Sequence, residues 1–347
     1  MTSRHTQQRR SSVLYPIMDE KNPLQVVLVL SNSLGITSVK FDKKLKRYRI
    51  VRGSVAILYA NLVLYILLKG FHTWYKFEDT YHAYDGSGII LTVVGSIDEE
   101  LSCLLTFLTI INNSVTSKHL LTILNSVHTI RSNTKKLNRD EDMFKHLRRK
   151  ISLCLSISVF FKFILVLYYV MYSENWFYLV VGLMYIMMNL CNDVYLIIFN
   201  GIVWTLRTES LELKRLMSMY SGQKWVSIAE HFFKIVSLHS MLMECLGLPM
   251  VYFILLVFID TTMQTFNVFQ IVFDLSTLEV KQMMLFDIVF LMWSVLSLAK
   301  FCMTMISTGT AHCEVNNLSN NRDNISLGHT PMDCSSHTVL INYNLDE

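Results

Sequence analysis

Proline, glycine and cysteine are all scarce in this chain of 347 residues, which contains four, 12 and seven of them. Few prolines and glycines, together with no evident internal repeat, argue against a transporter built from interrupted helices. The cysteines form no CxxC pair, and the sequence therefore predicts neither a disulfide framework nor a zinc site. We expect no metal and no cofactor.

Charge is sparse as well, because only 17% of the residues are Asp, Glu, Lys or Arg and the net charge is +4. Such a balance gives no dense basic face, and we expect no nucleic-acid partner. The nucleophile elbow GxSxG, the zinc-binding HExxH, the P-loop and the dinucleotide-binding GxGxxG are all missing from the sequence. The sequence therefore does not predict an enzyme.

Apolar residues are abundant, at 52% of the chain with a mean hydropathy of +0.37. This composition predicts an all-α, polytopic membrane helix bundle that lies in the lipid bilayer. An N-terminal tail with an interfacial amphipathic segment covers residues 1–53, and a polar tail covers residues 307–347. The six predicted spans of the bundle, residues 54–306, are residues 54–71, 86–111, 151–171, 176–199, 246–273 and 283–306.

The basic residues predict an orientation. Most of the 31 Lys and Arg residues fall in residues 1–52, 112–150 and 206–246, whereas the predicted outer loops contain only Lys76 and Lys281. Positive charge flanking membrane spans stays on the cytoplasmic side. We therefore expect both tails to be cytoplasmic. The helical spacing of apolar residues from Leu120 to Ile130 separately predicts that the second helix continues below the membrane.

Charged residues inside the predicted spans are candidate functional groups. Asp98, Glu99 and Glu100 lie in the second span, and Lys162 lies in the third. Ionisable groups at this depth are costly unless they face protein or water. Three interpretations stay open: a polar tether from the acidic residues to Lys162 or Lys300, a ligand-facing or ion-facing group, and a span whose boundary lies elsewhere.

Aromatic and polar side chains collect at the predicted outer ends of three spans. Amides and a carboxylate on the fifth span favour a water-accessible pocket over lipid contact, although hydrogen bonding between helices is the alternative. Aromatic rings near them would add contact area for a small organic ligand. The candidate ligand-binding residues are Tyr168, Tyr169, Trp176, Asp260, Gln264 and Asn267.

Three segments of the chain resemble the insect gustatory receptor family. Residues 22–36, NPLQVVLVLSNSLGI, are similar to that family's start, and residues 190–216 resemble its fourth span with the cytoplasmic extension. Residues 291–320 resemble the sixth span and the helix after it. The family has seven spans, the last with a Thr-Tyr, five-residue, Gln-Phe motif, and this sequence lacks that motif.

The resemblance implies a gustatory receptor subunit in the plasma membrane. Such subunits form tastant-gated cation channels, which implies a small-molecule tastant and assembly with receptor subunits as a homo- or hetero-tetramer. Two alternatives stay open. One is a small polytopic transporter that uses Asp98, Glu99, Glu100 and Lys162 as an ion relay, and the other is a non-conducting accessory or truncated subunit.

Overall fold

The fold is known from a computed structural model. It describes residues 24–42, 44–51, 89–134, 141–172, 176–219, 223–274 and 295–310, together with residues 56, 59, 60, 63, 64, 66–68, 70, 71, 292 and 313. Residues 89–100 are described as backbone only.

Long helices make up nearly all of the described chain, and the predicted all-α bundle is confirmed. A short antiparallel hairpin, which the sequence did not predict, stands near the beginning. In chain order the elements are α1 (Gln25–Ser33), β1 (Val39–Asp42), β2 (Arg47–Ile50), α2 (Ile89–Thr134), α3 (Glu141–Tyr172), α4 (Trp176–Met219), α5 (Gln223–Asp274) and α6 (Val295–Thr310).

The longest helices exceed the thickness of a membrane. The 52 residues of α5 extend about 78 Å at ~1.5 Å per residue, against ~30 Å for a hydrocarbon core. The helix α2 likewise runs unbroken to Thr134, so it does continue past the predicted second span. Three helices of the described chain are long and apolar enough to cross a membrane, over Phe144–Leu167, Gly182–Met219 and Trp225–Ile259.

Two predicted spans are described only in part. Of residues 54–71 only part is described, and the side chain of Tyr59 lies 3.2 Å from Ser114 of α2, oxygen to oxygen. Of residues 283–306 the described part lies mostly in α6.

The helix α4 is the centre of the bundle. Every residue from 192 to 206 is buried, which means that neighbours cover the helix on all sides over four turns. The helices α2, α3 and α5 pack around it, and α1 covers it near Gly201. Residues 194–199 form a continuous run of apolar or aromatic side chains in this centre, and Phe199 among them is fully buried.

The segment before the first predicted span also packs into the protein. In α1, Val27 and Leu28 are 0% and 3% exposed. The hairpin pairs Phe41 with Tyr48, and the two rings meet edge to face at 5.1 Å. This segment therefore contacts protein, and its position at the membrane surface stays a prediction.

Candidate functional site

A carboxylate in the middle of the bundle joins three helices. Asp193 of α4 accepts a hydrogen bond from Lys300 Nζ at 2.5 Å and another from Ser158 Oγ at 2.6 Å. Lys162 Nζ lies 3.6 Å from the same carboxylate. We call these four residues the Asp193 cluster.

Helix periodicity explains how the Asp193 cluster assembles. Ser158 and Lys162 are four residues apart on α3, and they therefore share one face of that helix. Asp193 lies in the fully buried part of α4, and Lys300 lies in the first turns of α6. The side of α3 that carries Ser158 and Lys162 is turned toward α4, whereas Phe160 and Phe163 of the same helix are exposed.

Burial makes these electrostatic contacts strong. The side chains of Lys162 and Asp193 are only 4% and 6% exposed, and that of Lys300 is 14% exposed. Charges removed from water are tolerated only when they are paired and hydrogen-bonded, because desolvation costs several kcal/mol per ion. Asp193 meets this condition, because it accepts hydrogen bonds from Lys300 and Ser158 and lies beside the Lys162 ammonium group.

Further polar contacts align α6 along α4. Asn200 donates a hydrogen bond to Thr304 Oγ1 at 3.1 Å, and the indole of Trp204 donates to Ser307 Oγ at 2.7 Å. Lys300, Thr304 and Ser307 are spaced four and three residues apart, so they form one polar stripe on α6. This stripe fixes the register of α6 against α4 over more than two turns.

The helix α2 is tied to the same centre. Thr106 donates a hydrogen bond to Asn192 Oδ1 at 3.2 Å, next to Asp193 in the chain. About two turns further along α2, Asn112 donates to the backbone carbonyl of Cys245 in α5 at 2.7 Å. Polar contacts of this kind stabilise helix packing in membranes, where water offers no alternative partner.

The predicted ligand-binding residues lie at the opposite end of the helices from the hairpin. Tyr168 and Tyr169 are in the last turns of α3, and Trp176 begins α4 with 74% of its surface exposed. Asp260, Gln264 and Asn267 lie in the last third of α5, spaced so that they share one helix face. Apart from Trp176, their side chains lie outside the described part of the structure.

The antiparallel packing brings these three helix ends together. Ser158 of α3 meets Asp193 of α4 and Ile151 lies at Gly201, so these two helices are antiparallel. Asn112 of α2 meets Cys245 of α5 and Asn133 meets His231, so this pair is antiparallel as well. The end of α3, the start of α4 and the end of α5 are therefore at one end of the bundle. The structure does not describe contacts among the candidate side chains themselves.

Sequence reasoning missed the role of Asp193. It considered Lys162 and Lys300 as partners for Asp98, Glu99 or Glu100, whose side chains are not described, whereas the structure places both lysines on Asp193. An available signal was that Asp193 is itself an acidic residue inside a span and requires a cation. A comparison of the depths of Asp193, Lys162 and Lys300 in their spans would have suggested the pairing.

Metal and disulfide chemistry find no support in the described chain. No group of three or more His, Cys, Asp or Glu side chains there could hold a metal ion. The cysteines that are described, at positions 154, 191, 245, 302 and 313, are all free thiols.

Comparison with known proteins identifies the family. The profile of the family described as 7tm Chemosensory receptor matches residues 24–321, which is most of the chain and includes α1 to α6. A comparison with curated proteins found no match. The family consists of membrane-embedded receptors and is not an enzyme family, so the match favours a chemoreceptor over the transporter alternative. This chain belongs to the 7tm chemosensory receptor family.

Proposed function

We propose that this protein is a gustatory chemoreceptor subunit that binds a small organic tastant. It spans the plasma membrane several times with its N-terminus in the cytoplasm, and it assembles with receptor subunits as a homo- or hetero-tetramer that gates a cation current. The observation that carries the proposal is the family match over residues 24–321, on a chain whose long helices pack around one buried polar centre.

The proposed ligand site lies between the outer ends of α3, α4 and α5. Tyr168 and Tyr169 would provide aromatic contact area there, with Trp176 at the exposed rim. On α5, Asp260, Gln264 and Asn267 would orient the polar groups of the ligand. Sites of this type combine apolar contact with a few placed polar groups.

The Asp193 cluster supplies a route from that site to α6. The helix that carries Tyr168 and Tyr169 at its outer end also carries Ser158 and Lys162, which contact Asp193. Asp193 in turn holds Lys300 of α6. A ligand that binds one arrangement of α3 more tightly than another would therefore also bias the position of α6.

The test is a tastant-evoked current in cells that express this chain alone and together with a full-length relative. A panel of sugars and bitter compounds would identify an active ligand. A buried polar group of the ligand that loses its hydrogen-bond partner on the protein weakens binding by ~1–3 kcal/mol. We therefore expect Gln264→Ala and Asp260→Asn each to raise the half-maximal ligand concentration by about tenfold. A matched control is Lys234→Gln, at an exposed position near the other end of the same helix.

Three results would contradict the proposal. An unchanged response in both α5 variants removes these residues from the site. Substrate flux into proteoliposomes without any ligand-evoked current indicates a transporter. An accessory subunit is indicated if this chain gives no current when expressed alone and reduces the current of the full-length relative for every ligand tested.

A further inference from the structure

The hairpin has one buried face and one basic face. Directly paired residues share a face of a two-stranded sheet, and the pairs Val39–Ile50 and Phe41–Tyr48 turn toward the bundle. The alternate pairs are Lys40–Arg49 and Asp42–Arg47. Lys40, Arg47 and Arg49 are exposed, as are Lys44 and Lys46 in the turn.

The hairpin is held firmly on α2. The side chain of Asn125 binds both backbone groups of Tyr48, accepting from its N–H at 2.7 Å and donating to its carbonyl at 3.2 Å. The ring of His128 packs edge to face on Phe41 at 5.3 Å. The basic face therefore has a fixed orientation relative to the bundle, unlike a loosely attached basic tail.

The described basic face carries much more positive charge than negative. Asp42 is its single acidic residue among those described, and it lies 3.3 Å from Arg49. The hydrogen bond from the Leu45 backbone N–H is the largest of several contacts that keep the pKa of Asp42 below its usual value. Lys40 and Arg49 are directly opposite each other, and like charges in that position destabilise a strand pair.

The hairpin also lies close to the predicted edge of the membrane. Val51 ends the described part of the hairpin, and the first predicted span begins at residue 54. Tyr59, five residues into that span, already contacts Ser114 of α2, whereas the hairpin packs on Asn125 and His128 further along the same helix. At ~1.5 Å per residue, Tyr59 is about 8 Å inside the predicted span and Asn125 is about 17 Å beyond Ser114 along α2, which puts the hairpin contact about 9 Å beyond the edge where the first span is predicted to begin.

We propose that the basic face of this hairpin binds the phosphate-bearing headgroups of anionic phospholipids in the adjacent leaflet. Arg guanidinium groups bind phosphate through two hydrogen bonds, and Lys adds point charge. A bound headgroup would relieve the repulsion between Lys40 and Arg49.

The experiment measures lipid selectivity of the whole purified protein. It is incubated in detergent with equal amounts of phosphatidylserine and phosphatidylcholine, and native mass spectrometry gives the ratio of bound lipids. The test variant is Lys40→Gln/Lys44→Gln/Arg47→Gln, which leaves the Asp42–Arg49 pair intact. The matched control is Lys118→Gln/Arg149→Gln/Lys234→Gln, because these three residues are exposed on α2, α3 and α5.

A preference for phosphatidylserine in the native protein should fall by about 100-fold in the hairpin variant and stay near the native value in the control. The figure follows from ~1 kcal/mol, or about fivefold, for each basic residue near an anionic surface. Equal losses in the two variants would overturn the proposal, because they would show that general positive charge is responsible.

Two further measurements use the unmodified protein and do not depend on whether the variants fold. The phosphatidylserine preference should weaken steeply as salt rises from ~0.05 M to ~0.5 M, since salt screens exposed charges. A preference that is independent of salt would overturn the proposal. Competition by inorganic phosphate or glycerophosphoserine at the same concentration as the lipid would identify the hairpin as a soluble-anion site and would also overturn it.

Discussion

Lys300 of α6 donates a hydrogen bond to Asp193 of α4 at 2.5 Å, inside a bundle that is otherwise largely apolar. The same carboxylate accepts a hydrogen bond from Ser158 of α3 and pairs with Lys162 of that helix. Three helices thus meet at one acidic side chain, which is the counter-ion of two lysines. We therefore expect substitutions at different residues of the Asp193 cluster to lower the free energy of unfolding by different amounts.

Asp193→Asn should destabilise the protein more than any change to one lysine. This substitution removes the negative charge that faces two ammonium groups and leaves both of them in a desolvated site, which costs ~3–5 kcal/mol. Lys300→Met keeps the apolar stem and leaves Asp193 with Ser158 and Lys162, so we expect a smaller loss of ~1–3 kcal/mol. Equilibrium unfolding in mixed micelles would measure both values.

The control for the cluster is Arg149→Gln, at an exposed position of α3. Surface substitutions of this kind change the free energy of unfolding by less than ~0.5 kcal/mol. If Asp193→Asn were as mild as this control, the Asp193 cluster would not hold the three helices together.

Gly201→Leu should displace α1 from the bundle. A Cβ atom at Gly201 would lie 2.7 Å from Leu24 Cδ2 and 3.4 Å from Ile151 Cδ1, which leaves no room for a larger side chain. Overpacking of this kind costs ~1–3 kcal/mol. Hydrogen exchange at the backbone amides of α1 should become faster.

The matched control for that change is Gly247→Leu on α5, since a Cβ there meets no other atom within 4 Å. Both variants add the same side chain to a long helix. Equal protection of the α1 amides in the two variants would show that α1 does not pack on α4 at Gly201.

Asn125→Ala should loosen the hairpin while leaving α2 intact. The Asn125 side chain makes two hydrogen bonds to the backbone of Tyr48, and each contributes ~0.5–1.5 kcal/mol in net terms. Together they amount to ~1–3 kcal/mol, so the Tyr48 amide should exchange about 5- to 150-fold faster. Thr129→Ala is the control, because the Thr129 hydroxyl bonds only the carbonyl of Asn125 within its own helix; if it had the same effect, the Asn125 contact would not anchor the hairpin.

Much of the helical architecture was predictable from the sequence. Apolar runs longer than soluble helices need predicted a membrane bundle. Helical spacing beyond residue 111 predicted that the second helix continues below the membrane, and the structure shows that it ends at Thr134. The hairpin was missed because it was read as basic flanking sequence. Its signal was the alternation of Val39 and Phe41 with Lys40 and Asp42, which has the period of a strand.

The partners inside the bundle were harder to predict. Periodicity gives the face of a helix but not its rotation or its vertical position relative to a neighbour. Lys162 could therefore be assigned to the acidic residues of the second span as readily as to Asp193. The central position of α4 could not be predicted either, because a helix buried in the bundle and a helix that faces lipid are both apolar.

Both proposals depend on one orientation, with the ligand site outside the cell and the hairpin at the cytoplasmic face. Glycosylation mapping in a eukaryotic cell tests it directly. Glu78→Asn creates an acceptor site ahead of Asp79 and Thr80 in the predicted first outer loop, while Asn317 and Asn324 are natural acceptor sites in the predicted cytoplasmic tail. The account predicts a glycosidase-sensitive mass increase for the Glu78→Asn protein and none for the unmodified protein. Glycans on Asn317 or Asn324, with none gained in the variant, would contradict it.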